Sequence, residues 1–381
     1  MPVHAFLPIH HPHPGRPDRP PTRRRTRRRA VAALAGSVLV LTAAACGSSS
    51  PGSSGGTSGE DPKTLVVATH DSWAMSKSVM KEFTAQTGIT VKIQPQADAG
   101  QLTSKLVLTK DDPIADGVYG VDNLFAPRAV KAGVFAPYTT SKLPAAAETY
   151  RLEGSGADRL TPVDYSDVCV NVDDSWFAAK GLTPPRTLDD LTDPRYKGLF
   201  VTPGATTSSP GLAFLVATIA AKGESGWKSY WSKLMANGTK IDAGWTEAYE
   251  SDFTAGGGKG ARPVVTSYSS SPPFTIPKGA TKPTTSALLD TCYRQVEYAG
   301  VLTGSKNPAG MRKFIDFMLG RDFQKALPDN MYVYPVVRSV GLPADWAKYA
   351  TVSPKPYRLP AEQVRSNLDG WLRDWRDVTS R

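Results

Sequence analysis

"TPVDYSDVCVNVD", Thr161 to Asp173, is a run of β-compatible residues about twice the length of an ordinary strand. A strand that long can serve two packing units in turn, so what lies on either side of it decides the architecture. Upstream, strand and helix patterns alternate: "TLVVAT" (64–69) as a strand, "SWAMSKSVMKEFTAQTG" (72–88) as a helix closed by Gly88, then "TVKIQP", "QLTSKLVLTK", "DGVYGVDN" and "FAPRAVKAG". Downstream the alternation restarts with "GLFVTP", "SSPGLAFLVATIAAKG", "GTKID" and "WTEAYESDF". A second long β region, "RPVVTSYS", leads into "LLDTCYRQVEYAGVL". The chain closes with the helical "NPAGMRKFIDFMLG", "RDFQKAL" and "AEQVRSNLDGWLRDWRDV". Two long strand regions around a restarted α/β unit predict an α/β protein of two lobes, each a mixed sheet with flanking helices, joined by a double crossover. The expected division is residues 63–165 with 270–381 as lobe 1 and 166–269 as lobe 2. Such a hinge lets a cleft close on a ligand.

The charge of the 381-residue chain is concentrated at its front. Residues 1–29 hold eight Arg and one Asp, +7 of the formal +10, which leaves +3 for the rest. A nucleic-acid footprint would run along the folded surface, so no nucleic-acid partner is expected. Four of the five histidines (His4, His10, His11, His13) share that leader, leaving His70 alone behind it. No metal site and no cofactor are expected on that basis, and an enzyme is not the reading either: a nucleophilic site would depend on one imidazole, and no G-x-S-x-G occurs.

"RRRTRRRAVAALAGSVLVLTAAAC" reads as a secretory signal, with residues 1–45 removed on export. Ala30 to Ala45 is 16 residues, short of the ~20 that span a bilayer. "AAAC" fits both an A-x-A cleavage and the acylated Cys46 of a lipoprotein. The Ser/Gly tether at 46–62 supports the second and places the protein on the outer face of the cytoplasmic membrane, periplasmic or at the cell surface. In an oxidising compartment Cys169 and Cys292, on the two β regions, are expected to bond.

Candidate ligand contacts lie where strands end and helices begin. In "DAGWTEAYESDF" Trp245 follows Gly244 at a strand-to-helix turn, either plugging a core or presenting its face to a ring or cation. "TTSSPGLAF" carries Ser208 and Ser209, with Ser209 as N-cap and Pro210 at the first helical position. "SYSSSPPF" adds Tyr268, Ser269, Ser270 and Ser271. Asp71 in "THDSW" and Asp122 in "YGVDN" stand at strand ends, and for Asp71 helix capping and ligand contact are both open. Aromatics, hydroxyls and carboxylates without Lys or Arg suit an aromatic or cationic organic ligand rather than a polyphosphate.

These stretches, with "DSWA", "GVDN", "QVEYAG", "KFIDFML" and "YVYPV", resemble the substrate-binding component of bacterial thiamine ABC transporters over about residues 64–381. "GWTEAY" followed by "SYSSSP" is the specific part. The resemblance implies a type II periplasmic-binding-protein fold and thiamine or a thiamine phosphate as ligand. It also implies delivery to a membrane permease driven by an ATPase, from a monomer held to the membrane by its lipid. It carries ligand contact onto Trp245, Tyr268, Ser269 to Ser271, Ser208, Ser209, Asp98 and Gly100 of "ADAG", and Phe274, which stands for a stacking Tyr. His70 and Tyr332 occupy the places of a Tyr and a Trp. A polyamine or other organic-cation binder is the alternative, because it uses the same carboxylates and aromatics. A ferric binder would want adjacent tyrosines, which the chain lacks, and an exported hydrolase stands third.

Overall fold

The computed structural model describes residues 63–154 and 156–380; the signal segment, Cys46 and the tether lie outside the described residues. The strands are β1 (Thr64–Thr69), β2 (Thr90–Pro95), β3 (Gly117–Asp122), β4 (Leu160–Asp173), β5 (Phe200–Pro203), β6 (Lys240–Asp242), β7 (Val264–Tyr268), β8 (Thr285–Val301) and β9 (Tyr334–Pro335). The helices are α1 (Lys77–Thr87), α2 (Ala99–Leu108), α3 (Ala126–Lys131), α4 (Asp174–Lys180), α5 (Ser209–Ala236), α6 (Pro308–Met318), α7 (Arg321–Met331), α8 (Ala344–Tyr349) and α9 (Ala361–Thr379).

One sheet carries all nine strands in the order β2-β1-β3-β8-β4-β7-β5-β6, with β9 beside β4. Its two ends are parallel: β1 pairs with β2 and β3, and β5 with β6 and β7. Parallel pairs require helical crossovers, so each end is an α/β unit of its own. Between them β4 and β8 run antiparallel along both of their halves. The end of β8 pairs with β3 and the end of β4 with β7, so these two strands carry the chain from one unit to the other. The second crossover is therefore the 17-residue β8, while "RPVVTSYS" yields only the five-residue β7. Apolar and polar residues alternate poorly in β4 because both of its faces are covered, and every residue of it is buried.

Register slips once in mid-hinge: Val168 faces Tyr293 while Val170 faces Leu288. At this bulge Cys169 and Cys292 form the expected disulfide, with Cα atoms 4.2 Å apart and 123 residues between them in sequence.

Three helices depart from the sequence expectation. The first begins at Lys77 rather than residue 72, because the Ser76 hydroxyl accepts from the Val79 N–H and starts it there. It ends as expected at Gly88, whose φ of 72° is open to glycine. α5 continues past Gly223, where a φ of 71° and ψ of 168° kink it, into a second segment ending at Ala236. "WTEAYESDF" forms a π-helical turn, Glu247–Asp252, and no α-helix. α9 is fastened to the β5 end by a chain of rings: Phe200 on Phe214, Phe214 on Trp231, and Trp231 on Trp375 at 5.6 Å. The Lys228–Asp374 ion pair at 2.8 Å adds to it. No helix among the described residues is long and apolar enough to cross a membrane.

Candidate functional site

Asp98 sits where the two parallel ends meet. Its Oδ1 accepts from the Ala99 N–H at 2.6 Å, capping α2, and from the Ser209 N–H at 3.4 Å at the start of α5. Its Oδ2 accepts from the Trp245 N–H at 2.9 Å. Two helix N-termini thus point at one carboxylate, the charge their aligned dipoles favour. The backbones follow: the Gly100 and Gln101 N–H groups donate to the Thr207 carbonyl at 3.1 and 3.3 Å. Gly100 is required there, since a Cβ would lie 2.7 Å from both the Thr207 carbonyl carbon and the Phe125 ring. Gly244 lies against the same carboxylate, where a Cβ would be 3.1 Å from Oδ2.

A second carboxylate makes the same crossing. Asp122, at the end of β3, accepts from the Leu124 and Phe125 N–H groups at 2.7 and 2.8 Å through Oδ1, and from the Ser209 hydroxyl through Oδ2. Burial raises its pKa to about 6, opposed by those three donors. The α5 cap is Ser208 rather than Ser209, and neither hydroxyl bonds to the helix. Ser209 is drawn to Asp122 instead. The buried Ser208 hydroxyl has no hydrogen-bond partner among the described residues.

Trp245 is largely covered by its neighbours. Its side chain is 8% exposed, one face stacked on Tyr249 at 5.0 Å and 12°. Its indole N–H donates to the Ser267 hydroxyl at 2.9 Å. Tyr249, four residues on from Trp245, sits in the π-helical turn and lies beneath the indole. Tyr268 lies 6.0 Å away, tilted by 48°.

The hydroxyl run divides. Ser271 pairs with Ser267 at 2.9 Å and so joins the Trp245 group. Ser269 bonds to the Tyr334 hydroxyl, and Ser270 donates to the Tyr332 carbonyl at 2.6 Å. The first ties the loop after β7 to β9 and the second to the segment before it. Tyr332 adopts a φ of 61° as it ends α7, and its ring stacks on Phe274 at 3.5 Å. Asp71 is exposed and does not cap α1, a role that Ser76 takes.

His70 belongs to a buried polar group that sequence reasoning missed. Its Nε2 is 3.5 Å from Glu297, and Tyr119 donates to both Asp164 (2.7 Å) and Glu297 (3.1 Å). Burial alone would lower the histidine's pKa, but the carboxylates around it, Glu297 foremost with Asp98 and Asp71, raise it. His70 lowers that of Glu297 in turn, while burial beside Glu297 drives Asp164 well up. Ser72 lies 2.8 Å from Nδ1, giving the order serine, histidine, carboxylate. The signal available for Glu297 was its place in "QVEYAG"; for Tyr249 it was its spacing of four from Trp245. No cluster able to hold a metal ion occurs among the described residues.

Two α/β units joined by two antiparallel crossovers, with helix starts from both meeting at a carboxylate, define the architecture of solute-binding proteins with a double-crossover hinge. The chain belongs to the bacterial extracellular solute-binding protein family, whose model matches residues 112–356. It is 29% identical over 323 residues to the thiamine-binding periplasmic protein of Salmonella typhimurium, covering 83% of this chain and 94% of the relative. It is 30% identical over 331 residues to the protein of that name from Brucella suis, covering 84% and 92%. A solved structure of a periplasmic thiamin binding protein superposes with a TM-score of 0.73 at 28% identity, covering 85% of this chain and all of that one.

Proposed function

We propose that this chain is an extracytoplasmic solute-binding protein that captures thiamine or a thiamine phosphate and delivers it to an ABC permease and its ATPase. The observation that carries this reading is the meeting of the Asp98 carboxylate, Trp245 and Tyr268 in one contact set, in a chain whose similarity to the thiamine-binding relatives spans more than four fifths of its length. Thiamine offers a flat pyrimidine for the rings and a thiazolium cation for the carboxylates and the indole face. In this reading Ser208, Ser209, Ser269 to Ser271, Gly100, Asp122, Asp71, His70, Phe274 and Tyr332 complete the surroundings of the ligand. Lobe 1 comprises residues 63–165 and 270–381, and lobe 2 residues 166–269. The arrangement of α2 against the start of α5 supports a cleft between them. The mature monomer is exported and held by a lipid on Cys46, with 46–62 as its tether.

The test is calorimetric titration of the exported domain with thiamine, thiamine phosphates, spermidine and Fe(III). Saturable thiamine or thiamine-phosphate heat is expected. Spermidine heat without thiamine heat would make the protein a polyamine binder. Intact mass of the membrane fraction checks the acylated Cys46; an unmodified soluble N-terminus at that residue would leave only the A-x-A cleavage.

A further inference from the structure

On the reverse side of the hinge lies a cavity that the proposed ligand site does not use. Strand periodicity separates the two: Gln295 and Glu297 of β8 turn towards Tyr268 and His70, while Arg294, Val296 and Tyr298 turn to the other face and floor this cavity. Its volume is about 380 Å³, the size of a small-ligand pocket. One wall is the segment from Asn123 to Pro127 with Thr149 to Glu153, carried by the β3 end. The opposite wall is Tyr357 to Leu359 with the first turns of α9, the helix fastened to α5 and β5 by Trp231 and Trp375.

The lining is unlike the front of the molecule. Five guanidinium groups face the cavity (Arg151, Arg294, Arg338, Arg358 and Arg365) against one carboxylate, Glu153. Three of them are matched by carboxylates: Arg151 by Glu148, Arg294 by Asp167 and Arg365 by Glu362. The Arg338 guanidinium donates to the Tyr150 hydroxyl, at 2.7 Å, and pairs with no carboxylate among the described residues. Arg358 makes no hydrogen bond or ion pair among the described residues. Two guanidinium forks without counter-ions, in a recess also lined by Tyr150, Tyr293, Tyr298 and Tyr357, match an oxyanion on an apolar or aromatic body.

We propose that this cavity is a second binding site, for a small organic phosphate or carboxylate whose oxyanion is held by Arg338 and Arg358 and whose body packs on the tyrosines. An occupant would touch both α/β units behind the crossover strands. The proposal is independent of the thiamine reading. The test is titration of the exported domain at low salt with phenyl phosphate, using inorganic pyrophosphate to compare a bare oxyanion. Saturable one-to-one binding of phenyl phosphate is expected, tighter than pyrophosphate. Arg338→Ala with Arg358→Ala should weaken it about 10-fold or more, since each lost fork is a charge-assisted contact. Both side chains are exposed, so the variant should fold, and thiamine titrated into it reads the front site separately. No saturable phenyl phosphate binding to the unaltered protein, or equal binding to the double variant, overturns the proposal whatever thiamine does.

Discussion

Trp245 shows how a side chain can serve fold and ligand together. Its neighbours Tyr249, Ser267 and Tyr268 hold it from one side, and its own N–H reaches Asp98. Trp245→Ala should therefore do two things: weaken thiamine binding by about 1–3 kcal/mol, and destabilise the protein by about 3 kcal/mol from the cavity left beside Tyr249. Trp245→Phe should keep part of both, losing about 1 kcal/mol with the Ser267 bond. Titration and urea denaturation of the same samples separate the two losses; unchanged affinity with lowered stability would leave Trp245 a core residue only. Asp122 makes a second case. Its folded pKa of about 6 stands above the ordinary aspartate value of about 4, so the folded state binds the proton more tightly. Stability should fall as pH rises from about 4 through 6, by up to about 3 kcal/mol. Asp122→Asn keeps an acceptor for the Leu124 and Phe125 N–H groups without the charge. The difference in unfolding free energy between the two proteins should grow across that window; a constant difference would show that Asp122 does not titrate there. At this scale the sequence revealed residues standing at element ends, such as Asp98, Asp122 and Trp245. It concealed Glu297, because a carboxylate inside an apolar strand has no local pattern that names its partner.

Among the elements, those with strong local signals were legible. Gly88 ends its helix, and the period-two strands β1 and β2 stand where their residues put them. The π-helical turn was hidden, since the residues of "EAYESD" carry no local signal that separates it from an α-helical turn. For β8 the sequence placed Cys292 on a β region without bounding it, and the strand runs for 17 residues, Thr285–Val301. Two tests follow from how elements meet. Gly100→Ala puts a methyl group 2.7 Å from backbone that cannot yield, so α2 must draw away from the loop before α5. A loss of about 1–3 kcal/mol in stability and of at least about 10-fold in thiamine affinity is expected. Affinity equal to the unaltered protein would mean that this contact is absent when ligand is bound. The Cys169–Cys292 bond closes a 123-residue separation, worth about 5 kcal/mol in the chain-entropy model. Replacing both by Ala should lower the denaturation midpoint accordingly, and thiol labelling of the denatured, unreduced protein should find neither residue free.

For the molecule as a whole, the restart of α/β alternation after one overlong strand was enough to foresee two units and a double crossover. What no local signal could supply is how the units approach, which rests on single atoms of Asp98, Asp122 and Ser209 meeting across the sheet. Those contacts bear on thermal stability. A ligand bound only by the folded chain adds about 2.7 kcal/mol at a hundredfold excess over its dissociation constant. For a protein of this size that is a rise of roughly 4 °C in Tm. The rise should appear with thiamine and shrink by about a third or more in Trp245→Ala at the same concentration, because a loss of about 1–3 kcal/mol in affinity leaves an excess of about 20-fold or less. In the Arg338→Ala, Arg358→Ala protein it should persist in full, since that cavity lies on the other face of β8. Differential scanning calorimetry of the three proteins decides the matter. A thiamine shift of equal size in all three would place the ligand away from Trp245, and the carboxylates at the start of α2 and the end of β3 would then need another purpose.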